Sequence, residues 1–232
     1  MKKTFLTIAL TIAGLALFAQ TADDIINKYL DAIGGREKLL AIKNIYMEGT
    51  ADENGQQILI KDWKIIKKAD RSEYTLMGVT GYTIITTDSG WSFNPQEEKM
   101  AQPISIGEVK KAQADLNSVD PLLDYKDKGY KVAYEGKGDV DGSDALKLEL
   151  TISDSDMQTY FLNPSTYYIM RIKSKEIVNG KTQESQQDFS NYQKTPEGYV
   201  FAMSAVGDGS SVNFTMVKVN TDMKPSLFVP KR

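Results

Sequence analysis

From Asn44 to Asn220 the apolar residues recur at every second position, and turn-forming residues interrupt them at intervals of roughly ten. A period of two sends successive side chains to opposite faces, so each stretch reads as a strand. Ala145–Ile152 is the cleanest case. Leu146, Leu148, Leu150 and Ile152 face one way, and Lys147, Glu149 and Thr151 the other. Asp52-Glu53-Asn54-Gly55 and Asn179-Gly180-Lys181 carry the Asn-Gly hairpin signal. Short turns between strands predict an antiparallel meander. With no linker and no shift in composition, residues 20–232 are expected to form one mainly β (α+β) domain.

Three stretches depart from this rule. Thr21–Ile33 has helical spacing, with Ile25, Ile26, Tyr29, Leu30 and Ile33 on one stripe, Thr21 as a cap and Gly34-Gly35 as the stop. Arg36–Ile42 adds a short second helical turn. Ile104–Asp127 reads as a helix through Glu108–Leu116, and Pro121 either ends that piece or opens another at Leu122-Leu123. That insertion is too long and too patterned for slack loop. The strand Gln57–Lys68 is unusual in another way. Leu59, Trp63 and Ile65 lie on one face while Ile58, Ile60 and Ile66 lie on the other, which suits a wall packed on one side and facing an apolar cavity on the other.

The first nineteen residues, MKKTFLTIALTIAGLALFA, join two lysines to a short apolar run ending in a small residue. This is the pattern of a cleaved signal peptide, and its apolar run is shorter than the roughly 18–20 residues of a spanning helix. Export to the periplasm or exterior is expected, without a membrane span. Removing Lys2 and Lys3 leaves 26 basic and 31 acidic residues, a net charge of −5. An acidic chain with scattered lysines carries no footprint for nucleic acid. The 232 residues contain no His and no Cys. Ser-His-Asp and Cys-His catalysis, disulfides and zinc–thiolate sites are thereby excluded.

What remains for an enzyme is weak. Asp139–Asp144 resembles a calcium loop but has Leu150 at the closing position, where such a loop needs Glu, so it reads as an acidic turn. Glu97, Glu98 and Glu108 are carboxylates without a fixed separation. Gly207-Asp208-Gly209 is followed by a strand, not the helix a phosphate loop needs. No enzyme, metal or cofactor is expected.

Three stretches carry a family resemblance: Thr86–Pro95, with an Asp-Ser-Gly turn before Trp91-Ser92-Phe93-Asn94-Pro95; Tyr160–Arg171, with Asn163-Pro164 between two aromatic strands; and Asp188-Phe189-Ser190-Asn191-Tyr192 with Glu197-Gly198-Tyr199-Val200-Phe201. The order of elements with these stretches resembles the LolA/LolB-like superfamily of periplasmic lipoprotein-sorting proteins. Ala202 stands where that pattern has Pro. The resemblance implies an incomplete antiparallel β-barrel, covered by lid helices from Thr21–Ile33 and Ile104–Asp127, around a cavity for acyl chains. It also implies a latch between an early-strand Arg and the lid. Lys68 or Arg71 could serve, although the family's Arg-Pro pair is missing from Ile66–Arg71.

On this reading the cavity candidates in the first half are Ile58, Ile60, Trp63, Ile65, Tyr74, Leu76 and Met77, then Tyr82, Ile84, Trp91 and Phe93. In the second half they are Leu148, Leu150, Phe161, Met170, Phe201, Met203 and Phe214. Each could instead fill a core. The function implied is a periplasmic, monomeric carrier of lipoprotein acyl chains or another lipid toward the outer membrane, exchanging cargo with envelope proteins. The alternative is a non-catalytic interaction or sensor module on the same fold, like the envelope-stress regulator RseB.

Overall fold

The structure, a computed structural model, describes residues 21–230 except 54, 118 and 179, with the side chains of 114 and 115 also left aside. The signal peptide and the two hairpin asparagines, Asn54 and Asn179, lie outside the described residues. After two helices, α1 (Ala22–Ala32) and α2 (Arg36–Leu40), come β1 (Asn44–Glu53), β2 (Gln56–Ile65), β3 (Ala69–Leu76), β4 (Val79–Thr86), β5 (Gly90–Phe93) and β6 (Gln102–Pro103). The insertion contributes α3 (Ile106–Leu116). Then follow β7 (Lys131–Val140), β8 (Ser143–Ser153), β9 (Asp156–Leu162), β10 (Ile169–Val178), β11 (Lys181–Lys194), β12 (Val200–Gly207) and β13 (Ser210–Val219). A 3-10 turn, Pro225–Phe228, closes the described chain.

Sequence-adjacent strands pair throughout, except that β1 pairs with β13 and β6 does not pair with β7. The described sheet is therefore an antiparallel meander whose two ends of chain meet in its middle. Its free edges are β6 and β7, and it does not close. The predicted strands match the observed ones to within a few residues, while the two-residue β6 and the C-terminal turn have too little pattern to read from sequence.

The helices form for the reasons the sequence suggested. Thr21 and Asp24 exchange side-chain and backbone hydrogen bonds in a complete capping box. Gly34 and Gly35 stop α1 at φ values of 138° and 93°, where a side chain would be strained. Ser105 and Glu108 form the same reciprocal cap at the start of α3.

We call the face carrying these helices inner. The α1 stripe of Ile25, Ile26, Tyr29 and Leu30 packs in one cluster with Leu146, Leu148, Leu150, Tyr160 and Leu162. α3 lies on the same face: a Cβ on Gly90 would collide with Ile104 and Val109 side chains at 2.6–2.7 Å. The cross-strand rank Ile45–Lys64–Asp70–Ile85–Gly90 connects the two positions.

No second helix forms at Leu122-Leu123; the segment after α3 is a run of turns. Leu122 is nevertheless 0% exposed and Leu123 2%. Tyr29 donates to the Asp120 carboxylate, Tyr125 donates to Asp23, and Lys126 lies 2.7 Å from the same Asp23. Those bonds tie the segment to α1, so this half of the insertion is core. Leu122→Ala is expected to cost about 2–5 kcal/mol in urea unfolding, the range for large-to-small core changes. A loss under about 0.5 kcal/mol, typical of a surface site, would contradict its place in the core.

Candidate functional site

Strand register sorts the first-half candidates onto two faces. Phe214–Gly49–Ile60–Tyr74–Gly81 form one inner rank across five strands. Two glycines make room in it. A Cβ on Gly49 would sit 2.1 Å from the Asn213 carbonyl oxygen, and one on Gly81 would enter the Tyr74 ring at 2.3 Å. The next rank toward the hairpin tips contains Val212, Ala51 and Ile58, with Leu76 on the same face. The next rank away from the tips is Val217–Met47–Asp62–Ser72–Thr83.

These ranks enclose a groove of about 400 Å³, lined by Met47, Ile60, Asp62, Ser72, Tyr74, Thr83, Val212 and Phe214, with Lys61 and Glu73 also at its wall. The size falls within the ~300–1,000 Å³ range of small-molecule sites. Its hairpin-tip end is open and greasy: Met77 is 87% exposed, and Val79 and Tyr74 are partly exposed. At its other end β1 and β13 run into the α1 core, where Ile45 and Val219 are buried, and β2–β4 continue with Lys64, Asp70 and Ile85. A second, smaller cavity of about 180 Å³ lies under α1 between Tyr29, Asp120, Phe189, Tyr192 and Phe201.

The remaining candidates are elsewhere. Trp63, Ile65, Tyr82, Ile84, Trp91 and Phe93 lie on the outer face, opposite the groove. There Tyr82 meets Phe93 at a tilt of 38° with ring centroids 5.4 Å apart, and Ile84 is fully buried. Leu148 and Leu150 are fully buried in the α1 cluster. Phe161 packs with Val140 and Ala145 on the outer face, with Met170 against them. Phe201 lines the smaller cavity, and Met203 is buried on the same strand. Of the eighteen candidates, Ile60, Tyr74 and Phe214 line the groove, Ile58 and Leu76 extend its wall, and Met77 stands at its rim.

The latch expectation is corrected on one residue. Arg71 is on the outer face, 5% exposed, bonded to Glu73 at 2.6 Å and to the Leu227 carbonyl at 3.1 Å. Its guanidinium lies 4.0 Å from the Tyr82 ring centroid. It pins the C-terminal segment and points away from α3. Lys68 is exposed in the turn after β2, where the Lys67 N–H donates to the Leu116 carbonyl at 2.7 Å. What ties α3 across the molecule is Lys111, 2.5 Å from Glu176 on β10, together with Gln113, which donates to the Thr86 carbonyl at 2.9 Å.

Asp62, Ser72 and Thr83 were missed by sequence reasoning. The signal was present, because Asp62 continues the Ile58–Ile60 phase of β2, but a lone acid in a strand reads as solvated. Ser72 donates to the Asp62 carboxylate at 2.6 Å. Burial raises the Asp62 carboxyl above its ordinary 3.8, opposed by the Ser72 hydrogen bond and by Lys64. Among the described residues no cluster of three His, Cys, Asp or Glu is placed to hold a metal.

A raised carboxyl means the native chain holds a proton that the unfolded chain has released. Stability then falls as the pH rises from the unfolded value through the folded one. Asp62→Asn is expected to raise Tm at pH 7, with the gain fading as the pH drops below about 4. A Tm difference that does not change with pH would contradict a half-buried, proton-retaining carboxyl.

No protein-family model and no curated protein matches the sequence. Solved structures do match its fold. A DUF1329 family protein from Desulfovibrio piger superposes with a TM-score of 0.59 at 13% identity, over 91% of this chain and 98% of that one. A LolA superfamily protein from Nitrosomonas europaea gives 0.59 at 14% identity, over the same shares. A putative outer membrane lipoprotein-sorting protein domain from Vibrio parahaemolyticus gives 0.53 at 15% identity, over 88% and 94%. The chain has the LolA-like fold, an open antiparallel half barrel with helices on its inner face.

Proposed function

We propose that the chain is an exported, non-catalytic binding protein that takes acyl chains of a lipid or lipoprotein into the inner-face groove and carries them through the periplasm toward the outer membrane. The observation that carries this reading is the groove between β4 and β13, with Ile60, Tyr74, Val212 and Phe214 on its walls and Met77 at its open rim. Each methylene taken out of water is worth about 0.8 kcal/mol, so an acyl chain crosses an aqueous space only under cover. A sheet gives such cover with its backbone hydrogen bonds already made. Met47 adds an adaptable surface at the groove floor. The likeness to a putative lipoprotein-sorting domain supports the same reading through the fold. The signal-like first nineteen residues support the address. Among the described residues no helix is long and apolar enough to cross a membrane.

Uptake of the neutral fluorescent probe N-phenyl-1-naphthylamine tests this. The wild-type chain is expected to bind it saturably. Ala51→Trp, which places an indole between Val212 and Ile58, is expected to weaken binding at least tenfold with an unchanged circular dichroism spectrum. A wild-type protein that takes up no probe, and that crosslinks to an envelope protein instead, would overturn the carrier reading in favour of the interaction module.

A further inference from the structure

The groove is not uniformly apolar, and its polarity has a direction. Successive ranks on one face lie about 7 Å apart along the strands. At the open end the wall is Ile58 and Leu76, and one rank deeper it is Phe214, Ile60 and Tyr74. One rank deeper again, Asp62, Ser72 and Thr83 stand side by side on three adjacent strands. Beyond them the same face continues with Lys64, Asp70 and Ile85 on β2–β4 and reaches the α1 core only at Ile45 on β1. The polar triplet thus sits at the polar end of the groove, Ser72 exposed and Asp62 and Thr83 half-buried, with apolar walls between it and the hairpin-tip opening.

A hydrocarbon terminus pressed against that triplet would leave a carboxyl and hydroxyls facing methyl groups. A polar group covered that way loses its water partner and gains none in return. A terminus that donates a hydrogen bond removes the penalty, and an amine also balances the carboxylate charge. Asp62 already accepts from Ser72 at 2.6 Å, so the hydroxyl orients the carboxyl for a second donor. An anionic terminus meets Asp62 as a like charge, which Lys64, one rank further on the same face, offsets only in part.

Resting on the binding role proposed above, we infer that the preferred occupant is an amphiphile with a hydrogen-bond donor at its head, its amine or hydroxyl on Asp62 and its chain along Ile60, Tyr74 and Phe214 toward the opening.

Displacement of bound N-phenyl-1-naphthylamine by decylamine, decanol and decanoate, each kept below its aggregation threshold, reads this directly. Decylamine is expected to displace the probe at a concentration at least tenfold below decanoate, with decanol between them. In Asp62→Asn the amine should lose its advantage over the alcohol while probe binding persists. Ser72→Ala, a smaller change, should reduce the same advantage. Glu149→Gln removes an equal charge from the outer face, where Glu149 pairs with Thr159, and should leave the ranking untouched. Probe binding with three equal competitors, or a ranking that Glu149→Gln alters as much as Asp62→Asn, would overturn the inference and leave the binding role standing. Absence of probe binding to the wild-type chain would overturn both.

Discussion

Ile45 on β1 pairs with Val219 on β13, residues from opposite ends of the described chain, and the ladder runs on to Glu53 and Ser210. Other strand pairs join sequence neighbours through short turns. This one closes almost the whole chain into a loop. Loop-closure entropy grows slowly, by about 0.6 kcal/mol per doubling of length, so a long ladder holds it easily. The kinetic consequence is larger, because non-local pairing slows folding. Once β1 sits beside β13, the free edges fall at β6 and β7, in mid-sequence. The insertion between those strands is therefore the segment placed to cover the gap, and both of its halves do so: α3 against β4, and the Leu122–Tyr125 turns against α1.

The same topology explains why so many strands are apolar on two faces. The inner face meets helices at one end and the groove at the other. The outer face at β3 and β4 meets the Pro225–Phe228 turn, which Arg71 holds through the Leu227 carbonyl. A buried guanidinium is costly unless paired. Here Glu73 pairs with it and the Tyr82 ring stacks on it. Beside them on the back of the sheet Ile84 is fully buried, and Trp63 and Trp91 are half-buried. Division of apolar residues between two faces leaves one side of β1–β4 available for a guest without sacrificing the wall's stability.

Much of this was legible beforehand. The period of two marked twelve of the strands, the Thr21–Asp24 cap and the Gly34-Gly35 stop bounded α1, and the insertion stood out by length. Alternation within β2 also separated Ile58 and Ile60 from Trp63 and Ile65. What a single strand leaves open is which phase faces the guest. That depends on the partner strands' register, fixed by hairpin turns and by the bulge after Glu48. Arg71 was misread for a related reason: its phase follows Trp63, its partner across β2–β3, and that phase is the outer one. The C-terminal turn, with no periodic pattern of its own, gave no sign that it would cover those side chains. Asp62 was hidden by the ordinary expectation that an acid faces water, while its position in the Ile58–Ile60 phase pointed inward.

The central claim is that the guest enters on the Ile58–Ile60 side of this wall and not on its back. Methyl NMR of the isotope-labelled chain, titrated with N-phenyl-1-naphthylamine, measures this most directly. The account predicts saturable shifts of the Met47, Ile58 and Ile60 methyls, with Ile65 and Ile84 unmoved. Shifts confined to Ile65 and Ile84 would contradict it.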